Sequence, residues 1–141
     1  MEMTAATMQA RMAETVARVL RQACRKWAPP RKIKTRDWAN KYRYLSSIEA
    51  ARPGKYVLDV TPYLAWENSP LDALDDPSVQ VVVCQKSAQV AWTSGVLGNF
   101  LGKSIDTDPS PILVLFPKEG AAKEYMDEKF VPMVEATPAL R

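Results

Sequence analysis

Residues 86–93 read KSAQVAWT and follow VQVVVCQ, a run rich in β-branched residues. A strand-like run, a lysine, small and polar residues, then a threonine at the head of a helix-forming stretch: this is the layout of a phosphate-binding loop. The chemistry needs backbone N–H groups converging at a helix N-terminus, one cation within reach, and one hydroxyl for a divalent metal. Ser87, Ala88, Gln89 and Ala91 are slim enough for backbone to approach phosphate, provided Val90 and Trp92 point away. Lys86 could fold its long side chain back over the loop and supply the charge. Thr93 would supply the hydroxyl.

The usual pattern, G-x-x-x-x-G-K-[ST], is not met. Lys86 and Ala91 stand at its glycine positions and Trp92 at its lysine position; Thr93 alone fits. If position 91 must take a positive φ, alanine is strained there by about 1 kcal/mol relative to glycine. A second reading stays open: a plain strand-to-helix turn, with Lys86 solvated and Thr93 a cap residue.

The elements around the loop must position it. From residue 79 the pattern alternates strand and helix. VQVVVCQ reads as a parallel strand covered on both faces. Val96, Leu97, Phe100, Leu101 and Ile105 recur at helical spacing, DTDPSP is a loop, and ILVLF is a second buried strand. Residues 118–130 form a second helix closed by Pro132. This order predicts a right-handed parallel βαβ unit. Upstream, residues 4–26 form an amphipathic helix, with Met8, Met12, Val16, Val19, Ala23 and Trp27 on one side and Arg11, Arg18, Arg21 and Arg25 opposite. That face must bury on the domain or on a partner subunit; the alanine- and methionine-rich stripe lacks the bulky anchors of a membrane-surface helix. Pro29 and Pro30 stop the helix, and PPRKIKTR (29–36) is a basic linker. Asp37 caps a short helical turn carrying Trp38, Tyr42 and Leu45. Pro53-Gly54 is a turn, residues 56–60 are extended, and PYLAWENSPLDALDD is a helix broken near Pro70.

The chain has 141 residues, 47% of them hydrophobic and 25% charged, enough for one domain with a core. No apolar run is long enough to span a bilayer and no signal peptide is present. Two cysteines, Cys24 and Cys84, read as reduced thiols. The absence of histidine excludes His-based acid–base catalysis and His metal sites within this chain. Residues 1–55 carry 13 Lys/Arg against 4 Asp/Glu, whereas residues 56–141 carry 6 against 12. The basic half either meets nucleic acid or an acidic partner, or docks on the acidic half.

WANKYRYLS, PGKYVLDVTPYL, VVVCQKSAQVAWT and ILVLFPKEGAAKEYMDEKFVPMVEATPALR, in this order, resemble the N-terminal ATPase region of the phage terminase large subunit of the GpA (lambda-like) type. The resemblance covers residues 37–141. KSAQVAWT looks like that family's variant Walker A motif, in which the lysine lies at the front of the loop. Lys86 matches the displaced lysine, Ser87, Ala88, Gln89 and Val90 the loop body, and Thr93 the Mg²⁺-binding hydroxyl. The family usually has glycine where this chain has Ala91, and commonly tyrosine where it has Trp92. Tyr63, in Thr61-Pro62-Tyr63, is an adenine-side candidate or a shielding core tyrosine; Leu64 stands where helicase-type relatives have glutamine. Lys118 and Lys123 are candidates for DNA phosphate contact, or a solvated helix start.

The resemblance implies an α/β fold: an N-terminal helix plus the start of a helicase-like P-loop NTPase parallel sheet with flanking helices. It implies ATP and Mg²⁺ as cofactors. It implies double-stranded DNA, a small terminase subunit (through the helix of residues 1–28) and the portal protein as partners, a homo-oligomer in the motor, and action in the host cytoplasm with no membrane. The full-length function would be ATP-driven DNA packaging into a procapsid. Phosphoryl transfer also needs carboxylates for the metal and the attacking water. The family places these after a later strand, and neither apolar run here ends in acid, so the chain is expected to be an incomplete ATPase domain without the nuclease half. Competing readings are a non-catalytic DNA- or subunit-binding remnant and a helicase-like ATPase fragment of another family.

Overall fold

The computed structural model describes residues 5–27 and 29–141, with side chains from residue 11 to 24 and from 29 onward. The chain divides into two units, Met1–Pro30 and Arg31–Arg141. The first is one helix, α1 (Ala5–Trp27), whose Met12, Val16, Val19 and Leu20 are exposed. Residue 4, and the side chains of Met8, Arg25 and Trp27 on the expected stripe and its opposite face, lie outside the described residues.

The second unit is built around α2 (Thr35–Tyr42). This helix starts three residues earlier than its sequence suggests, with Lys34 and not Asp37 at the cap position. Asp37 lies in its first turn, where a negative charge suits the helix dipole, but it is not the cap. The capping carboxylate comes from Asp75, which accepts the Thr35 N–H at 2.5 Å and the Thr35 hydroxyl at 2.7 Å. Asp75 ends α4 (Pro70–Asp75), which follows α3 (Pro62–Ala65). The expected break near Pro70 thus separates two helices, each opened by a proline that needs no N–H partner. Between α2 and α3, β1 (Tyr44–Leu45) pairs antiparallel with β2 (Gly54–Lys55). Gly54 takes φ 126°, open to glycine alone. Residues 58–60, expected extended, close into a single 3₁₀ turn whose entry is fixed by Asn40: its side-chain oxygen accepts the Leu58 N–H at 2.9 Å.

After the loop of residues 86–91 comes a wide π-type turn, Trp92–Gly98, running directly into α5 (Asn99–Thr107). Next come α6 (Glu119–Tyr125), a second wide turn over Met126–Phe130, and α7 (Val131–Ala136). Pro132 therefore does not close the helix. The wide turn shifts the hydrogen-bond ladder just before it, and the proline falls in the first turn of α7, where a missing N–H costs little.

The expected parallel sheet is not formed among the described residues. The only sheet there is β1–β2. Residues 79–87 and 109–116 belong to no helix and no ladder, and most of their apolar side chains are exposed, Val83 to 89% and Leu113 to 81%. A strand is defined by its ladder partner, and an apolar run without one remains an extended coil.

The core lies instead between helices. Trp38, Ala39, Leu58, Leu64, Leu71 and Val96 form it, with Tyr56 at its edge and Trp92 and Ile33 packed against it. The Trp38 indole rests on Gly102 of α5, and its N–H donates to Asp106 at 2.9 Å. Arg31 Nη2 also donates to both Asp106 carboxylate oxygens, at 2.7 Å each, while Arg31 Nη1 donates to the Tyr42 hydroxyl at 3.2 Å. Arg36 pairs with Asp72 and donates to the Ala65 carbonyl at 3.0 Å. Burial works against the charge on Asp72, but the Arg36 hydrogen bond and charge, helped by Lys34, hold its carboxyl below the usual carboxylate range. Part of the basic half is therefore docked on acidic groups of the same unit.

Gly102→Ala tests the central contact. An added Cβ would lie 2.4 Å from the Trp38 ring, an overpacking expected to cost about 1–3 kcal/mol. Denaturant unfolding should show that loss; an unchanged midpoint would mean that α2 and α5 do not meet through this glycine.

Candidate functional site

The loop is shaped by two left-handed residues. Gln89 takes φ 55° and Ala91 φ 53°, ψ 19°. Alanine in this region crowds its Cβ against the backbone, a strain glycine avoids. The positive φ that would penalise alanine at position 91 is thus present. The turn is held from below: the Tyr63 hydroxyl donates to the Val90 carbonyl at 2.9 Å, and the Gly95 N–H donates to the Ala91 carbonyl at 2.5 Å.

Three kinds of donor are left over at the loop. The N–H groups of Ser87, Ala88, Gln89 and Ala91 form no hydrogen bond among the described residues. Lys86 is exposed and pairs with no carboxylate there; its Nζ stands 3.5 Å from the Ser87 carbonyl oxygen. Thr93 is exposed at the start of the wide turn, and its hydroxyl has no partner there. Unbonded amides, an ammonium without a carboxylate partner and a free hydroxyl are the donor set that a polyphosphate and its Mg²⁺ ask for, so the residues present fit such a ligand.

Beside the loop is a cavity of about 300 Å³. Tyr63, Leu64 and Pro70 line it together with Lys86, Ser87, Val90 and Trp92. The structure therefore gathers Tyr63 with Lys86, Ser87, Val90 and Trp92. Ala88, Gln89, Ala91 and Thr93 belong to the same loop without lining the cavity. Tyr63 is 41% exposed and is not a core residue. Lys118, at the N-terminal boundary of α6, and Lys123 within it are exposed and do not line this cavity. Cys84 lines it as an exposed free thiol, and Cys24 on α1 is likewise free.

The sequence reading missed a buried cluster behind the loop. Arg43, just past α2, is fully buried. It pairs with Glu49 and donates to the Ser94 carbonyl, to Asn99 Oδ1 and, at 2.9 Å, to the Ser94 hydroxyl. The Ser94 hydroxyl donates to Glu49 at 2.6 Å, and the Asn99 amide donates to the Gly95 carbonyl at 2.7 Å. The guanidinium lies 4.9 Å from the Tyr56 ring centroid, a cation–π contact. In a basic segment nothing distinguishes an arginine that will be buried from one that will be solvated. The later Ser94 and Asn99 carry no signal without the fold.

The family described as phage terminase large subunit gpA, ATPase domain, matches residues 50–141. The chain belongs to that family. No curated protein and no solved structure matches it. The family match contains the loop, the cavity and α6, but begins after WANKYRYLS, so Arg43 and Glu49 lie ahead of it. Among the described residues no helix is long and apolar enough to cross a membrane.

Ala91→Gly should relieve the loop. With φ at 53°, the gain expected is about 1 kcal/mol in unfolding free energy. A loss of stability on substitution would show that residue 91 does not hold this conformation in solution.

Proposed function

We propose that this chain is the ATP-binding part of a viral DNA-packaging motor, the terminase large subunit. The observation that supports it is the donor set at residues 86–93, unbonded amides and a lysine with no carboxylate partner among the described residues, within the stretch matched by the ATPase family. In this reading Lys86 meets the outer phosphates from the entrance of the loop. The amides of Ser87, Ala88, Gln89 and Ala91 cradle phosphate oxygens. Thr93 contributes its hydroxyl to Mg²⁺, and the cavity between Tyr63 and Trp92 takes the base. The loop is then a variant Walker A motif on a P-loop ATPase. No carboxylate stands at the end of either apolar run, where Lys86 and Pro117 follow. The assigned role is therefore nucleotide holding; hydrolysis needs acidic groups from elsewhere in the motor.

The wider reading follows the family: ATP hydrolysis coupled to translocation of double-stranded DNA into a procapsid in the host cytoplasm, with a portal and a small subunit as partners. Lys118 and Lys123 remain the DNA-side candidates. The exposed stripe Met12, Val16, Val19 and Leu20 on α1 supports docking of the small subunit there. The alternative of a DNA-binding remnant draws on the basic half, but Arg31, Arg36 and Arg43 are already paired with Asp106, Asp72 and Glu49.

Two experiments test these assignments. Titration of a fluorescent ATP analogue with Mg²⁺ should give saturable binding that Lys86→Ala weakens about 10-fold or more, the worth of a charge-assisted bond. Equal affinity in both proteins would remove Lys86 from the site. Deletion of residues 1–28 should abolish capture of the small terminase subunit, and retained capture would move that interface elsewhere.

A further inference from the structure

We infer that the buried Arg43–Glu49 pair is a positioning device for the nucleotide loop: it holds the wide turn that begins at Trp92 and so fixes where the Thr93 hydroxyl stands. This rests on the nucleotide reading above.

A guanidinium taken wholly out of water is costly unless its donors are met, and a buried ion pair seldom repays that cost in stability. Arg43 meets most of it with groups of one short segment. Its bonds to the Ser94 carbonyl, the Ser94 hydroxyl and Asn99 Oδ1 all fall on the first turns after the loop. Satisfaction is incomplete: Arg43 Nε and Glu49 Oε2 are buried without partners. Such an arrangement specifies geometry more than it stabilises.

The geometry specified is the wide turn. An α-helix directs each carbonyl to the N–H four residues on. Here the Ser94 carbonyl is taken by Arg43 and the Gly95 carbonyl by the Asn99 side chain. Side chains that compete for these carbonyls favour the wider turn. Gly98 lets the guanidinium lie across the helix, since a Cβ there would stand 3.2 Å from both Nη atoms. Ser94 is therefore gripped by its carbonyl and its hydroxyl on the buried side, while its neighbour Thr93 is left on the exposed side. Arg43 and Glu49 precede the family match at residue 50. The segment just ahead of that match thus supplies the grip.

The test uses the full chain and a fluorescent ATP analogue, titrated with and without Mg²⁺. Ser94→Ala removes the hydroxyl that bridges Arg43 and Glu49 but leaves their pair intact. Expected is a fall of about 3- to 10-fold in the affinity gained on adding Mg²⁺, the worth of one ordinary hydrogen bond, with Mg²⁺-free affinity unchanged. Thr93→Ala should also lose Mg²⁺ enhancement, and adding Ser94→Ala to it should cost nothing more, because both act through one hydroxyl. Arg43→Lys, which keeps the charge and loses the fork, should reproduce the Ser94→Ala pattern; should it fail to fold, Ser94→Ala decides. Full Mg²⁺ enhancement in Ser94→Ala, or effects of Thr93→Ala and Ser94→Ala that multiply, would overturn the inference while leaving the nucleotide site standing. A wild-type chain without ATP affinity would overturn both.

Discussion

A guanidinium enclosed by protein must find hydrogen-bond acceptors within the fold, and that demand at Arg43 organises the second unit. The side chain has no exposed surface. Its acceptors come from the turn holding Glu49 and from the helix that follows the loop, and its flat face is covered by Tyr56. The end of α2, the turn after β1 and the start of the loop helix are thereby brought to one point. None of these segments could move without stranding a buried charge, a loss of about 3–5 kcal/mol when one partner of such a pair is removed. The pair adds little net stability against an apolar substitute of the same shape. What it adds is a single arrangement.

Around that point the remaining contacts are graded. Trp38 is the largest buried side chain, and its contact with Gly102 sets how closely α2 and α5 approach. Asp106 then satisfies the indole N–H, and Asp75 satisfies the first turn of α2. Within the second unit, part of the basic stretch before residue 55 is answered by these helices: Arg31 pairs with Asp106 of α5, and Lys34 and Arg36 pair with Asp72 of α4. The ion pairs differ in worth. Arg31 is half exposed, so its bond to Asp106 counts for little in water. Arg36 and Asp72 are more sheltered, and the lowered Asp72 carboxyl reflects that attraction prevailing over burial.

What the sequence made legible follows from range. Helical periodicity is local, so α1 and the helix through Leu101 could be read from spacing, and the proline-started α3 and α4 from their breakers. The cap of α2 could not, because its acceptor, Asp75, lies 40 residues away. Nor could Arg43 be told from the exposed cations around it. The valine-rich runs gave a strand signal that is sound as chemistry but incomplete as structure: β-branched residues prefer extended backbone, yet a ladder needs a second backbone beside it. The loop was legible for a different reason. Its requirements are amides, one cation and one hydroxyl, which are residue types in a row. Its partner Tyr63 emerged only through the family resemblance.

The loop also shows why a poor match to the glycine pattern does not argue against a built site. Among the described residues three non-glycine residues take positive φ, and two of them, Gln89 and Ala91, lie here. A turn free to relax would not keep two such residues so close together, since each pays a steric penalty. They persist because the surroundings leave no alternative. Tyr63 holds the Val90 carbonyl on one side, and the Arg43 cluster holds Ser94 on the other. Between these anchors the chain must reverse, and the reversal leaves the unbonded N–H groups at one stretch of loop. Lys86 stands at the entrance of this stretch, ahead of the turn and not on the helix. That leaves the first helical positions to Trp92 and Thr93. One packs against the core and the other faces outward. In this arrangement rigidity comes from what grips the loop, and glycine is not needed to supply it.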